Sequence, residues 1–170
     1  MSTVSSQDDR VVGAIQGLLS WRFLQQGLML YLGLFYSVYA CPNIKNFNDL
    51  SDEKLTHVAA IGAILNGCGR VVWAAIMDKF GFRNTYIAIL LLQIISASLI
   101  WSQVNHLRNY SICMLIAYMA NGATFSTFPS ACVKVFGTTN GGMIFTIMML
   151  FTPAAGFTSV IFGNLGLSPK

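Results

Sequence analysis

The chain has 170 residues, of which 55% are hydrophobic and only 9% charged. Soluble domains are roughly 25% charged, so ten Lys and Arg with six Asp and Glu cannot clothe a water-facing surface of this size, whereas a bilayer allows the outer surface to be apolar. The formal net charge is +4, but the basic residues are scattered along the connections, which argues against nucleic acid as a partner, because phosphate neutralisation needs clustered Lys and Arg.

In chain order, Met1 to Arg10 is polar and Val11 to Leu19 weakly apolar, so residues 1–20 read as a cytoplasmic tail followed by an interfacial segment. The acidic Asp8 and Asp9 and the long run behind them do not resemble a cleaved signal. Five apolar runs follow: Phe23 to Ala40, Leu55 to Met77, Thr85 to Trp101, Tyr110 to Val133 and Gly142 to Phe162. Each is near the ~20 residues that a helix needs to cross ~30 Å of hydrocarbon, and in lipid such runs must be helices because the backbone has to satisfy itself. The fold class expected is therefore an all-α integral membrane bundle of about five transmembrane helices. Trp21, Tyr39, Tyr86, Trp101 and Tyr110 fall near the run ends, as an aromatic belt does. Residues 165–170 read as a short polar tail.

The connections differ in kind. Pro42 to Lys54 is rich in Asn and Asp, and Ser51 or Asp52 is placed to cap the second helix. Asp78 to Arg83 and Gly137 to Gly142 are short enough only for helical hairpins. Small residues inside the runs (Gly62, Gly67, Gly69, Gly122, Ala123, Ala154 to Gly156) let helices approach closely in membranes. Pro129 and Pro153 are expected to bend or break their helices. With the N-terminus cytoplasmic, basic residues favour that side only slightly.

Four cysteines stand singly, and no metal spacing, phosphate loop or nucleophile–base grouping is present, so neither a cofactor nor an enzymatic activity is expected. His57 and His106 read as solvated connection residues. Arg70 is the one charge deep inside an apolar run. An Arg at a helix centre costs ~2.5–3.5 kcal/mol on insertion scales. Asn66 lies four residues before it and Trp73 three after, on the same face. Two readings stay open. Either Arg70 binds an anion in a central cavity, oriented by Asn66, or it snorkels toward the helix end at Asp78, about 12 Å away by helix rise. No acidic residue within any run is available as its partner, which favours an external anion. Tyr31, Trp73, Asn121 and Phe125 are further candidates to line such a site.

Asn66-Gly67-Cys68-Gly69-Arg70, and then Asp78-Lys79-Phe80-Gly81-Phe82-Arg83, resemble the major facilitator superfamily, the second string resembling its cytoplasmic loop motif. Ala74 and Phe82 depart from that motif, standing where Gly and a basic residue are usual. With Asn43-Ile44-Lys45, Asn121-Gly122, Phe128-Pro129 and Phe136-Gly137 the chain resembles the oxalate/formate antiporter and monocarboxylate transporter branch. The resemblance implies that residues 21–164 are a partial half-bundle matching the seventh to eleventh helices, with Arg70, Asn66, Trp73, Tyr31, Asn121 and Phe125 binding substrate and Asp78, Lys79, Gly81 and Arg83 forming the loop. Asn66 replaces a common Asp, the last run lacks a Lys, and Lys134 replaces an acidic residue, which puts proton coupling and dicarboxylate binding in doubt.

The function so implied is transport of small organic anions such as monocarboxylates by alternating access. The alternative is a truncated, non-transporting accessory subunit of a larger membrane assembly. Expected partners are the lipid bilayer, a small organic anion, and a missing N-terminal half or another membrane subunit. The expected location is multi-pass in a plasma or organellar membrane.

Overall fold

A computed structural model describes residues 13–44, 52–100 and 106–162. The expected polar tails, Lys45, Ser51 and Trp101 lie outside the described residues. Every described element is a helix: α1 (residues 13–18), α2 (Trp21–Ala40), α3 (Asp52–Ile100), α4 (Leu107–Met148) and α5 (Phe151–Phe162). Asp52–Ile100 and Leu107–Phe162 are long and apolar enough to cross a membrane. Large apolar side chains cover much of the outside, with Val71 and Phe157 each 74% exposed. A water-soluble monomer rarely presents so much contiguous apolar surface.

At 49 residues, α3 would be roughly 73 Å long if straight, more than twice the hydrocarbon thickness of ~30 Å. It folds back at Gly81, whose φ of 78° and ψ of 162° belong to a region that is essentially glycine-only. Trp73 and Ile89, equally far on either side of Gly81, share one buried cluster with Ala120 and Ala123. Residues 52–80 and 82–100 are therefore antiparallel rods. Gly137 repeats the device within α4, with φ 85° and ψ 163°. Cys132 on one side reaches the Met148 sulfur on the other at 3.8 Å. The second turn is tighter than the sequence suggests, since helix resumes at once after Gly137. Gly141 makes this possible, because a Cβ there would lie 2.7 Å from the Cα of Val133.

The prolines act unequally. Pro129 sits inside α4 without interrupting its helical dihedrals, whereas the helix breaks at residues 149–150 just before Pro153. Pro153 lacks the N–H that would bond back to residue 149, and it lies in the first turn of α5, where that loss is tolerated.

The rods 52–80 and 107–136 run parallel and cross closely. A Cβ on Gly62 would strike the Tyr118 ring, and one on Gly122 would strike the Asn66 carbonyl oxygen. Ser20 caps α2, its hydroxyl accepting from the Phe23 N–H at 3.3 Å. α2 lies against α4 and α5, with Phe23 edge-on to Phe151 and Phe35 edge-on to Phe162. Buried polar groups tie α2 to rod 82–100. Gln93 donates to the Gly33 carbonyl at 2.7 Å and to the Ser37 hydroxyl at 3.1 Å. Tyr36 and Ser96 share a hydrogen bond of 2.8 Å. In hydrocarbon such interhelical bonds have no water to compete with them.

Candidate functional site

Arg70 leaves rod 52–80 on its exposed side and places its guanidinium 5.5 Å from the centroid of the Phe125 ring on rod 107–136. Both rods end at the same face of the bundle, since Phe82, Arg83 and Val135 line one cavity there. Counted back from the two turns, Arg70 lies about 16 Å and Phe125 about 18 Å from that face. The guanidinium is thus held across to the neighbouring rod at its own depth, near the middle of a ~30 Å layer.

Two of the six candidate binding residues form this contact, and three more flank it on the two crossing rods. Asn66, one turn before Arg70, meets Gly122 through its backbone. Trp73 is buried against Ala120 and Ala123. Asn121 lies one turn before Phe125. Trp73 Nε1 and Asn121 Oδ1 are buried and lack a hydrogen-bond partner among the described residues, and buried polar atoms are rarely left so. Tyr31 is placed elsewhere. Its hydroxyl donates to Thr158 at 2.9 Å and its ring stacks on Phe35, so it serves the α2–α5 contact.

The acidic side chains among the described residues, Asp52, Glu53 and Asp78, sit at rod ends, away from Arg70. Asp52 and Glu53 occupy the first turn of α3, where the helix dipole favours negative charge. Around Gly81, the loop residues Asp78, Lys79 and Arg83 are exposed, and Lys79 lies 5.4 Å from the centroid of the Phe80 ring. Cys41, in the turn after α2, is buried, which pushes its thiol up to about 12 and keeps it neutral and unreactive.

A second feature went unread in the sequence. A cavity of about 530 Å³ opens at the turn-bearing face between α2 and the start of rod 82–100. Arg22, Arg83, Gln25, Gln26 and Tyr86 contribute its polar lining. Arg22 and Arg83 are far apart in sequence, so only the fold back at Gly81 brings them to one opening.

Among curated proteins the chain is similar to Apicoplast pyruvate carrier 1 of Toxoplasma gondii, 27% identical over 137 residues, covering 71% of this chain and 24% of the relative. The chain thus spans about a quarter of that relative's length. No family model matches the chain, and no solved structure matches it. On these findings the expected membership of the major facilitator superfamily, and of its oxalate/formate and monocarboxylate branch, does not hold: the match found is to a protein named as a pyruvate carrier. The strings that carried the resemblance have local causes. Gly81 is required by its positive φ, the charges beside it mark a rod end, and Gly69 and Gly122 admit the close crossing of two rods.

Proposed function

We propose that this chain is part of a multi-pass membrane carrier for small monocarboxylates of the pyruvate kind, in which Arg70 pairs the substrate carboxylate. In this reading rods 21–40, 52–80, 82–100, 107–136 and 138–162 are five crossings of the bilayer. The relative's name points to an organelle, and an organellar membrane is the location that follows.

One observation carries the reading: Arg70 sits at mid-depth with an aromatic ring beside it and, among the described residues, no acid. A central Arg costs ~2.5–3.5 kcal/mol on insertion scales, and a cation–π contact returns only about 0.5–2 kcal/mol. A carboxylate supplies the difference, because it neutralises the guanidinium and accepts two charge-assisted hydrogen bonds from it. Trp73, about one turn further along the same rod, is buried with its N–H lacking a partner among the described residues. Asn66 and Asn121 flank the anion on the two rods. Net movement requires the site to open to each side of the membrane in turn.

The test is uptake of labelled pyruvate into liposomes by the whole protein that carries this chain. Arg70→Ala is expected to lower uptake at least about tenfold, the scale of one lost charged hydrogen-bond partner, while Arg70→Lys retains part of it. Undiminished uptake by Arg70→Ala overturns the assignment. A second reading, a non-transporting accessory subunit, draws on the exposure of Arg70 on an open face. Absence of uptake by the wild type, together with stable co-purification of other membrane proteins, would favour it.

A further inference from the structure

The cavity at the turn-bearing face is amphipathic in a particular way. Its cationic groups, Arg22 and Arg83, each open a rod, Arg22 at the start of α2 and Arg83 just after Gly81. Among the described residues no acidic side chain lines it. Gln25 and Gln26 add carboxamide donors one turn further in, and Gln26 is buried. The remaining wall is apolar and part of it faces outward, with Ile87 46% and Val135 37% exposed. Immediately beside Arg22, Trp21 is 75% and Leu19 83% exposed, the pattern of side chains at a membrane–water boundary.

We infer that this cavity binds the phosphate-bearing headgroup of an anionic membrane lipid. Three features choose a lipid over a soluble anion. The opening stands at the rod ends, where headgroups lie. At about 530 Å³ it is far larger than a free phosphate needs. Its outward apolar wall suits the glycerol and upper acyl carbons that accompany a lipid phosphate. Arg22 and Arg83 would clasp the phosphate oxygens, since guanidinium geometry matches them bidentately, while the glutamine amides donate to the ester oxygens. Basic pockets between membrane helices take anionic headgroups for this reason. The inference rests on the membrane reading of the chain and is independent of what passes Arg70.

The experiment uses the purified full chain in mild detergent, with native mass spectrometry counting retained lipid and thermal unfolding measured alongside. Dioleoyl phosphatidylglycerol, dioleoyl phosphatidylcholine and inorganic phosphate are the probes. Phosphatidylglycerol is expected to be retained about thirtyfold over phosphatidylcholine, the scale set by two interfacial arginines, and to raise the melting temperature. The double variant Arg22→Gln/Arg83→Gln is expected to lose that preference, whereas Arg70→Ala keeps it. Equal retention of the two lipids by the wild type overturns the inference, and this measurement stands even if the double variant does not fold. An equal rise in melting temperature with inorganic phosphate also overturns it, in favour of a soluble-anion site. Loss of pyruvate uptake in Arg70→Ala with lipid preference intact separates this site from the carrier site.

Discussion

In the first hairpin Phe80-Gly81 joins rods 52–80 and 82–100, and in the second Phe136-Gly137 joins 107–136 to the helix that resumes behind it. The two glycines adopt nearly the same dihedrals, and aligning them places Gly62 opposite Tyr118 and Asn66 opposite Gly122. Those are the pairs that touch where the rods cross. In each pair one rod supplies a glycine and the other a larger residue, and the roles alternate along the crossing. Close approach therefore needs one glycine per contact, not a glycine on both sides. The alternation leaves each rod free to carry its own chemistry one turn further on, with Arg70 on the first and Phe125 on the second.

Substitution at the crossing should break this arrangement most severely. In Gly122→Ala the new methyl meets a backbone oxygen that cannot rotate away, so a loss of about 3 kcal/mol, the upper end for overpacking, is expected from thermal unfolding in detergent. Gly67→Ala, which points into open space, is the matched control and should hold or gain up to about 1 kcal/mol. If the two variants melt alike, the close crossing is not as described. The likeness of the turns is sharpened by Gly81→Ala and Gly137→Ala, each expected to cost about 1–3 kcal/mol through backbone strain alone, since neither added Cβ meets a neighbour. A marked difference between them would mean that one turn relaxes and the other cannot. The smallest effect is expected at Gln93→Leu, which removes the bonds from rod 82–100 to Gly33 and Ser37. About 0.6–2 kcal/mol is the range for such a tie in a membrane bundle, read from the same melting curves.

Much of the helical framework was legible because length and polarity dictate it. The runs Phe23 to Ala40 and Leu55 to Met77 fall inside described helices, and the hairpin at Asp78 to Arg83 follows from a connection too short for anything else. Pro153 also marked a break. Pro129 did not, since the dihedrals around it stay helical. The second turn proved shorter than read, since polar Thr138 to Asn140 look like loop in sequence yet continue the helix on its outer side. The isolation of Arg70 among apolar residues was visible at once. Its placement over Phe125 was not, because that depends on the crossing angle of two rods. The polar ties of Gln93 and Ser96 and the convergence of Arg22 and Arg83 on one cavity were likewise hidden, since they bring together distant segments with no local signature. The family likeness misled for the opposite reason: its strings were local, and turn geometry accounts for them.

The two ends of the bundle are fastened by different means. At one end, single glycines bind consecutive rods covalently, so the rods cannot part there by more than a bond length allows. At the other end the connections are longer, and a buried hydrogen bond ties the turn after α2 to rod 107–136. The buried Tyr110 hydroxyl donates to the Ile44 carbonyl at 2.6 Å, within a cluster that includes Leu55, Val58 and Ile100. Two struts joined at a fixed hinge can move only as a pair of shears, and their tips travel farthest. Opening of either hairpin turns about Gly81 or Gly137, whereas a splaying of α2 from rod 107–136 at the far end has to release the Tyr110 hydrogen bond.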